Sequence, residues 1–256
     1  MRSAERTVPE ETPVAFSYGG STHAVMMATP ADLEDFATGF SLTEGIVAGT
    51  AEIETIEILV EDKGIDVQIT LNTEREDRLR ARRRHLAGPV GCGLCGIESI
   101  EQAVRATPDV SASALRLSED EIVEAVALLN GAQPLHAETR AVHGAGFYVP
   151  ARGLVAVRED VGRHNALDKL VGAAARAGFS GRDGAVVVTS RVSVEMVQKT
   201  AIIGSPFIIA ISAPTALAIR TAQDAGMTLV ALVRGDEFDV FTHPRRIEPK
   251  EATHVA

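Results

Sequence analysis

The N-terminal part of the chain alternates hydrophobic and polar residues in the pattern of paired strands. Residues 14–28 predict a hairpin that turns at a Gly-Gly pair. Residues 53–60 and 65–71 alternate on either side of a Glu-Asp-Lys-Gly sequence and predict a second hairpin. Between the hairpins, Pro30 is typical of the first position of a helix and Gly45 of its end. Four apolar residues share one face of that helix: Leu33, Phe36, Ala37 and Phe40.

The C-terminal half has a different hydrophobic pattern, which is typical of a mostly parallel sheet. Its apolar runs are continuous, as in strands that are covered on both faces. They span residues 185–188, 207–211 and 228–233. Helices are predicted between these runs at residues 194–203 and 215–226, which gives a βαβαβ order.

One helix and two strands are predicted upstream of this parallel part. Ser118 and Glu121 have the spacing of a capping box and predict the start of an amphipathic helix, for which Gly131 is the predicted end. Residues 142–149 and 154–157 predict two adjacent strands. The whole pattern is that of an α/β protein with an N-terminal α+β part.

Composition and charge exclude several classes of protein. The chain has 256 residues, of which 45% are hydrophobic and 4% aromatic, so its core must be aliphatic. The net charge of −10 argues against a general nucleic-acid binder, whose affinity would come from neutralising phosphates. No uncharged run approaches the roughly 20 residues of a membrane span, and no apolar signal segment follows the N-terminus. We therefore expect a cytoplasmic protein with no membrane partner.

The two cysteines of the chain, Cys92 and Cys95, lie in the sequence Gly-Cys-Gly-Leu-Cys-Gly at residues 91–96. Glycine removes side-chain bulk and permits positive φ, so this segment predicts a sharply bent loop that presents both thiols. In a reducing compartment such a pair is more often catalytic or metal-binding than a disulfide. Thiols at this spacing can attack an electrophile in turn, share a metal ion or pass on a sulfur atom.

Arginine is concentrated just before the cysteines, with six arginines within residues 75–84. One interpretation is the solvated face of a helix. The other is a positive potential that lowers the pKa of the two thiols and holds an anion. A helix predicted at residues 97–105 would place the loop at a helix N-terminus, which also favours thiolate.

Two further interpretations of the cysteine segment involve known binding motifs. Residues 91–96 match Gly-x-Gly-x-x-Gly, but no apolar strand precedes them, so we reject a dinucleotide-binding fold. A zinc site is the stronger alternative, because His136 and Glu138 together with the cysteines are similar to the zinc deaminase pattern in reversed order. No second Cys-x-x-Cys and no histidine pair at zinc spacing completes a tetrahedral set, so we expect no bound metal.

Polar residues follow four of the predicted strands at their carboxyl ends. The run at residues 158–169 follows one strand, and Arg191, Ser212 and Arg234 follow the next three. Capped helices with surface charges would explain any one of these ends. Four such ends at one edge of a sheet predict a binding site, because ligands of α/β sheets commonly lie there.

These segments together resemble the FdhD family of formate dehydrogenase accessory sulfurtransferases, over nearly the whole chain. The resemblance rests first on Gly-Phe-Ser-Leu-Thr-Glu-Gly at 39–45, Cys-Gly-Leu-Cys-Gly at 92–96 and Glu-Asp-Val-Gly-Arg-His-Asn-Ala-Leu-Asp-Lys at 159–169. Ser-Arg-Val-Ser-Val-Glu-Met at 190–196, Ser-Ala-Pro-Thr at 212–215 and a terminal Val-Arg-Gly follow in the family's order. The resemblance implies a cytidine-deaminase-like α/β fold with a layered mixed sheet, without the deaminase zinc site, usually as a homodimer. A smaller N-terminal α+β subdomain would span residues 1–112, and the C-terminal domain would span residues 113–256.

The resemblance also implies a function. The protein would accept sulfur as a persulfide from a cysteine desulfurase and deliver it to the bis(molybdopterin guanine dinucleotide) form of the molybdenum cofactor, which then activates formate dehydrogenase. Cys92 would carry the persulfide, and Cys95 would be a relay or resolving thiol. The residues expected to bind the cofactor are Arg158, Arg163, His164, Asn165, Lys169, Arg191, Ser193, Ser212, Thr215, Leu232, Val233, Arg234, Gly235, Asp236 and Glu237. Two alternatives stay open: a cofactor chaperone that needs neither thiol, and a zinc-dependent hydrolase.

Overall fold

A computed structural model of the chain describes residues 6–86 and 106–249, apart from the side chains of residues 80–86. Cys92, Cys95 and the helix predicted at residues 97–105 lie outside the described residues. Within them, the chain forms a mixed α/β structure with two main sheets and a short two-stranded one.

The N-terminal sheet has four strands in the order β2-β1-β4-β3. They are β1 (Thr12–Tyr18), β2 (Ser21–Ala28), β3 (Ile53–Glu61) and β4 (Gly64–Leu71). Both predicted hairpins are confirmed, and β1 and β4 additionally pair in parallel. Helix α1 (Leu33–Thr43) covers this sheet with its predicted apolar face, and the rings of Phe16 and Phe40 stack with centroids 4.6 Å apart. Helix α2 (Thr73–Leu86) follows β4.

Helix α1 begins three residues after Pro30, so the prediction of proline at the first helical position is wrong. The backbone of Thr29 is held elsewhere, because its amide donates to Asp160 Oδ2 at 3.0 Å and its carbonyl accepts from Lys169 Nζ at 2.8 Å. Asp32 then adopts a left-handed conformation with a φ of 54°, which cannot continue a helix. The predicted end is confirmed, since Gly45 has a φ of 66° just after the C-cap residue.

The C-terminal sheet has six strands in the order β11-β10-β9-β8-β6-β7. They are β6 (His143–Val149), β7 (Gly153–Asp160), β8 (Ala185–Val188), β9 (Phe207–Ala210), β10 (Thr228–Arg234) and β11 (Glu237–Val240). Strands β8, β9 and β10 are parallel, as predicted. Because β6 is antiparallel to both β7 and β8, strand β7 has the same direction as these three. The ends of β7, β8, β9 and β10 therefore lie at one edge of the sheet, which we call the carboxyl edge.

Helices cover both faces of this sheet. Helix α3 (Glu119–Gly131) packs on one face, whereas α5 (Arg163–Arg176), α6 (Val194–Ile202) and α7 (Ala216–Asp224) pack on the other. The short α4 (Pro134–Thr139) precedes β6, and β5 (Leu117–Ser118) pairs with β12 (Ile247–Glu248). The predicted capping box is confirmed, and α3 ends with Gly131 as its last residue and Ala132 as its C-cap. None of the described helices is long and apolar enough to cross a membrane.

The N-terminal sheet and the C-terminal sheet are connected through the crossing of α1 and α5. The two backbones approach so closely that a Cβ atom on Gly39 would overlap the carbonyl oxygen of Asp168, and one on Gly172 would overlap the carbonyl oxygen of Asp35. Only glycine fits at these two positions. The division at residue 112 stays a prediction, and Val110 already packs with the C-terminal core.

Gly172→Ala is expected to destabilise the protein by roughly 3 kcal/mol, because the added methyl group must push α1 away from α5. Gly131→Ala is the matched control, since its Cβ would meet nothing within 4 Å and alanine favours a helix by up to about 1 kcal/mol. Urea unfolding of both variants measures the difference. Equal stability of the two variants would show that the crossing adjusts freely.

Candidate functional site

A buried ion pair lies where β7 meets α5. Asp160 and Lys169 are both 0% exposed, and Lys169 Nζ lies 2.6 Å from Asp160 Oδ2. The same carboxylate accepts the amide of Thr29, and the same ammonium donates to the carbonyl oxygen of Thr29. A buried ion pair is stable only when its remaining donors and acceptors have partners. The backbone of Thr29 supplies one donor for the carboxylate and one acceptor for the ammonium.

The second oxygen of Asp160 is satisfied by the start of α5. Its Oδ1 accepts the Gly162 amide at 2.8 Å and Asn165 Nδ2 at 2.9 Å. Asn165 Nδ2 also donates to the carbonyl oxygen of Met27 at 2.8 Å. The side chains of Asn165 and Lys169, which the sequence predicted to bind cofactor, are therefore engaged inside the protein and hold the edge in shape.

The sequence predicted that the polar run at 158–169 follows its strand. In the structure β7 extends to Asp160, so the run starts within the strand. Glu159 accepts the backbone amides of Leu135 and His136 at 2.9 and 2.7 Å and so holds the start of α4. Arg158 donates to Asp35 Oδ2 through Nε at 2.9 Å and through Nη2 at 2.5 Å. Since a carboxylate already engages Arg158, it is less available to a ligand than the other predicted arginines.

Three arginines at the carboxyl edge remain available. Arg163 Nε is buried and has no hydrogen-bond partner among the described residues. Arg191 and Arg234 are exposed, and within residues 6–86 and 106–249 neither is recorded in an ion pair. The N-termini of α5 and α6 adjoin them and have no side-chain cap at Gly162 or Ser193. The start of α6 is occupied by the carboxylate of Glu195, which accepts from Ser193 and from its own amide. The uncapped amides of α5 and the guanidinium groups favour an anion.

His164 lies in the first turn of α5, beside the start of α6. Its Nε2 is 3.5 Å from Ser193 Oγ and 3.9 Å from Glu195 Oε2. Burial, together with the positive charges of Arg163 and Lys199, lowers the pKa of His164 to about 4. The imidazole is therefore neutral at pH 7 and can donate or accept a hydrogen bond at this edge.

A second buried charge cluster lies below His164, and its pairing was not predicted. Lys199 Nζ contacts Asp168 Oδ1 at 2.9 Å, Thr43 Oγ1 at 2.9 Å and Glu44 Oε1 at 2.8 Å. Burial alone would lower the pKa of Lys199, but the carboxylates of Asp168 and Glu44 raise it above its ordinary value. The cluster joins the end of α1 to α5 and α6. Thr43 and Glu44 belong to the 39–45 motif, for which the chain pattern alone gave no role beyond a helix end.

The terminal loop after β10 borders a second part of the edge. Pairing of β10 with β11 shifts register between Ala231 and Arg234, and Leu232 has a φ of 59° in the left-handed region. Such strain in a leucine is uncommon and is concentrated at functional sites. A cavity of about 400 Å³ opens there, lined by Leu232, Arg234, Glu237, Phe238 and Asp239.

The residues predicted to bind the cofactor differ in how far they are exposed to solvent at the carboxyl edge. Those exposed are Arg191, Thr215, Arg234, Gly235, Asp236 and Glu237. Those partly exposed are Arg158, Arg163, His164, Ser193, Ser212 and Leu232. Asn165, Lys169 and Val233 are buried. Thr215 Oγ1 caps α7 by accepting the amide of Ala218 at 3.2 Å.

His136 and Glu138, which the zinc hydrolase hypothesis requires, do not belong to any metal-binding cluster in the described part of the chain. There, no three histidine, aspartate or glutamate side chains are grouped for a metal ion. His136 Nδ1 lies 3.2 Å from the carbonyl oxygen of Val142. Since Cys92 and Cys95 lie outside the described residues, the absence of a metal site stays a prediction.

The described residues form a mixed α/β protein with arginines at one edge of its larger sheet, and comparisons with known proteins make the class more specific. A model of the FdhD/NarQ family matches residues 9–248. A sulfur carrier protein FdhD from Agrobacterium fabrum is 67% identical over 245 residues, which is 96% of this chain and 90% of that protein. The protein of the same name from Brucella abortus biovar 1 is 59% identical over 247 residues, or 96% and 92% of the two chains.

The same family is found among solved structures. The crystal structure of a formate dehydrogenase accessory protein from Desulfotalea psychrophila superposes with a TM-score of 0.74 and 30% identity, covering 95% of this chain and 91% of that one. The chain belongs to the FdhD/NarQ family, and the resemblance inferred from the sequence motifs is confirmed.

His164 is expected to titrate near pH 4 when its proton resonances are followed by NMR. The folded pKa lies below the unfolded value of about 6.5, so the unfolded state binds the proton first. The free energy of unfolding should therefore fall as the pH drops from about 6.5 towards 4. His164→Gln should reduce this dependence and retain the part due to His143, whose pKa burial also lowers. A His164 midpoint near 6.5 would contradict the proposed neutral state.

Proposed function

We propose that the protein is a sulfurtransferase that accepts sulfur as a persulfide on Cys92 from a cysteine desulfurase and delivers it to bis(molybdopterin guanine dinucleotide), in support of formate dehydrogenase. The observation that carries the proposal is the carboxyl edge, where available arginines, the uncapped N-terminus of α5 and a strained loop border one surface. The names of the relatives supply the sulfur chemistry. We further propose a cytidine-deaminase-like C-terminal domain and a homodimer.

The edge suits the phosphates of the cofactor. Guanidinium groups bind phosphate oxygens through two parallel hydrogen bonds, and amides at a helix N-terminus favour the same charge. Arg163 and the first turn of α5 offer both kinds of donor together. Arg191 precedes α6, whose N-terminus is beside that of α5 through the contact of His164 with Ser193. A diphosphate placed over the start of α5 would meet arginines on both sides.

The terminal loop suits the guanine base. Guanine presents N–H donors on one edge and two acceptors, O6 and N7, on another. Glu237 and Asp239 line the cavity and can accept from the N–H donors, whereas Arg234 can donate to O6 and N7. Adenine lacks the N2 amino donor and the O6 acceptor, so this set of side chains favours guanine.

Sulfur transfer to the chain needs only a thiolate on Cys92. The thiolate attacks the outer sulfur of the donor persulfide, the donor's S–S bond breaks, and the donor leaves as a thiolate. The electron pair of Cys92 forms the new S–S bond, so no separate oxidant or reductant is consumed. Cys95 is then near enough along the chain to relay or resolve the persulfide.

Cys92→Ser is expected to abolish activation of a co-expressed formate dehydrogenase, because serine cannot carry a persulfide. Mass spectrometry after incubation with a cysteine desulfurase and cysteine should show one added sulfur, about 32 Da, on the wild type and none on residue 92 of the variant. Guanosine diphosphate should bind wild type and variant alike, which shows that the fold is intact.

Full activation by Cys92→Ser would contradict the assignment of the persulfide to Cys92. Cys95→Ser is the comparison variant: it removes the other thiol of the same segment and should still gain the added sulfur on Cys92. Full activation by the variant that lacks both thiols would favour the cofactor chaperone.

Guanosine diphosphate is expected to bind more tightly than adenosine diphosphate, with an affinity that falls as salt rises. Charge-assisted contacts contribute roughly 1.5–3 kcal/mol each, so Arg163→Ala and Arg234→Ala should each weaken binding by about ten- to a hundred-fold. Isothermal titration calorimetry measures both nucleotides on each variant.

Arg182→Ala is the matched control for this experiment. Arg182 is exposed and lies in the turn before β8, at the opposite edge of the sheet. Its removal should leave nucleotide affinity unchanged. Equal affinity for the two nucleotides, or equal losses in all three variants, would mean that the cofactor docks elsewhere.

A further inference from the structure

An apolar cavity of about 440 Å³ lies at the edge of the sheet opposite the carboxyl edge. Helices α5 and α6 start at the carboxyl edge, so their last turns, which line this cavity, lie at the far end. The apolar lining comes from α1, β6, α5, α6 and their following loops: Leu42, Val47, Phe147, Val171, Ala174, Phe179 and Ile203. The volume lies within the range of roughly 300–1,000 Å³ that is usual for ligand pockets.

The polar side chains of the lining are already engaged. Arg75 Nε is 2.8 Å from Glu52 Oε2, and Ser180 Oγ accepts the backbone amide of Arg182 at 3.3 Å. A small polar ligand needs a few convergent donors or acceptors inside its pocket to orient it. This cavity presents apolar surface inside, and its charges stand at the rim.

The rim is cationic although the chain as a whole is acidic. The Arg152 guanidinium lies over the Phe179 ring, 5.7 Å from its centroid, and Arg182 packs beside Gly204, next to the lining residue Ile203. Neither guanidinium is recorded in an ion pair with a described residue. Arg75 at the start of α2 is paired with Glu52, and the first turn of α2 carries Glu74 and Glu76, so the positive rim consists of Arg152 and Arg182. Against a net charge of −10, this is a local positive region.

We propose that this cavity is a docking site for a protein partner, which inserts a large apolar side chain flanked by acidic residues. A buried apolar anchor with a charged surround is the usual arrangement of an interface hot spot. The acidic residues of the partner meet Arg152 and Arg182. A partner held there lies beside the helix that leads along the chain to Cys92. The proposal stands independently of the nucleotide site at the carboxyl edge.

The test uses the full chain and a fluorescent peptide of sequence Glu-Glu-Leu-Phe-Glu-Glu, with blocked ends. Anisotropy should show saturable binding that weakens by at least about tenfold when the four glutamates are replaced by glutamine. Ala175→Phe, which places a ring in the cavity from the last turn of α5, should weaken the wild-type peptide similarly. The double variant Arg152→Glu with Arg182→Glu should also weaken it, without changing the cavity.

Arg220→Glu is the matched control, because Arg220 is an exposed arginine on α7 and does not line the cavity. It should bind the peptide as the wild type does.

Absence of saturable binding, or equal affinity in all variants, overturns the proposal. If octanoate displaces the peptide at equal concentration, the cavity is a small-molecule site and the proposal is wrong. If Ala175→Phe instead converts a dimer to a monomer in sedimentation, the occupant is a second copy and the proposal is equally wrong. The arginine double variant decides the matter if Ala175→Phe fails to fold.

Discussion

The buried pair of Asp160 and Lys169 joins the N-terminal part of the chain to the C-terminal sheet. Leaving one buried charge without its partner costs about 3–5 kcal/mol, so the pair is favourable only while every surrounding donor and acceptor is in place. Those groups come from both sheets: Thr29 from the end of the N-terminal hairpin, and Gly162 and Asn165 from the start of α5. The N-terminal part is therefore held in one orientation against the C-terminal sheet.

This constraint explains why the polar segment at 158–169 has two different tasks. Asp160 and Lys169 are buried and paired with each other, and Glu159 and Arg158 bond to other groups of the protein. These contacts fix the backbone of the segment. Arg163 and His164 lie in the same turn and are partly exposed, and Arg163 Nε has no hydrogen-bond partner among the described residues. A preorganised ligand site requires that the residues beneath its binding groups be locked by packing and hydrogen bonds, as they are here beneath Arg163 and His164. The cluster of Lys199, Asp168 and Thr43 extends these contacts inward.

Much of the architecture was predictable because it depends on local pattern. The hairpins, the continuous apolar strands and the capping box at Ser118 follow from periodicity and short-range chemistry, and the common direction of four strand ends follows from the βαβ order. The start of α1, the parallel pairing of β1 with β4, and the contact of Lys199 with Thr43 were not predictable. Each depends on residues far apart in sequence, such as the 156 positions between Thr43 and Lys199. A single sequence also cannot show that Gly39 and Gly172 face each other, since both occupy ordinary helical positions.

The two surfaces at opposite edges obtain their positive potential from different sources. At the carboxyl edge, the N-terminus of α5 adds its dipole to the arginines, so the backbone itself contributes. At the opposite edge, the C-termini of α5 and α6 present carbonyl groups, which oppose an anion. The positive rim there rests on the side chains of Arg152 and Arg182 alone. A ligand with concentrated charge, such as a diphosphate, is therefore suited to the first surface. A partner whose binding comes mainly from an apolar side chain is suited to the second.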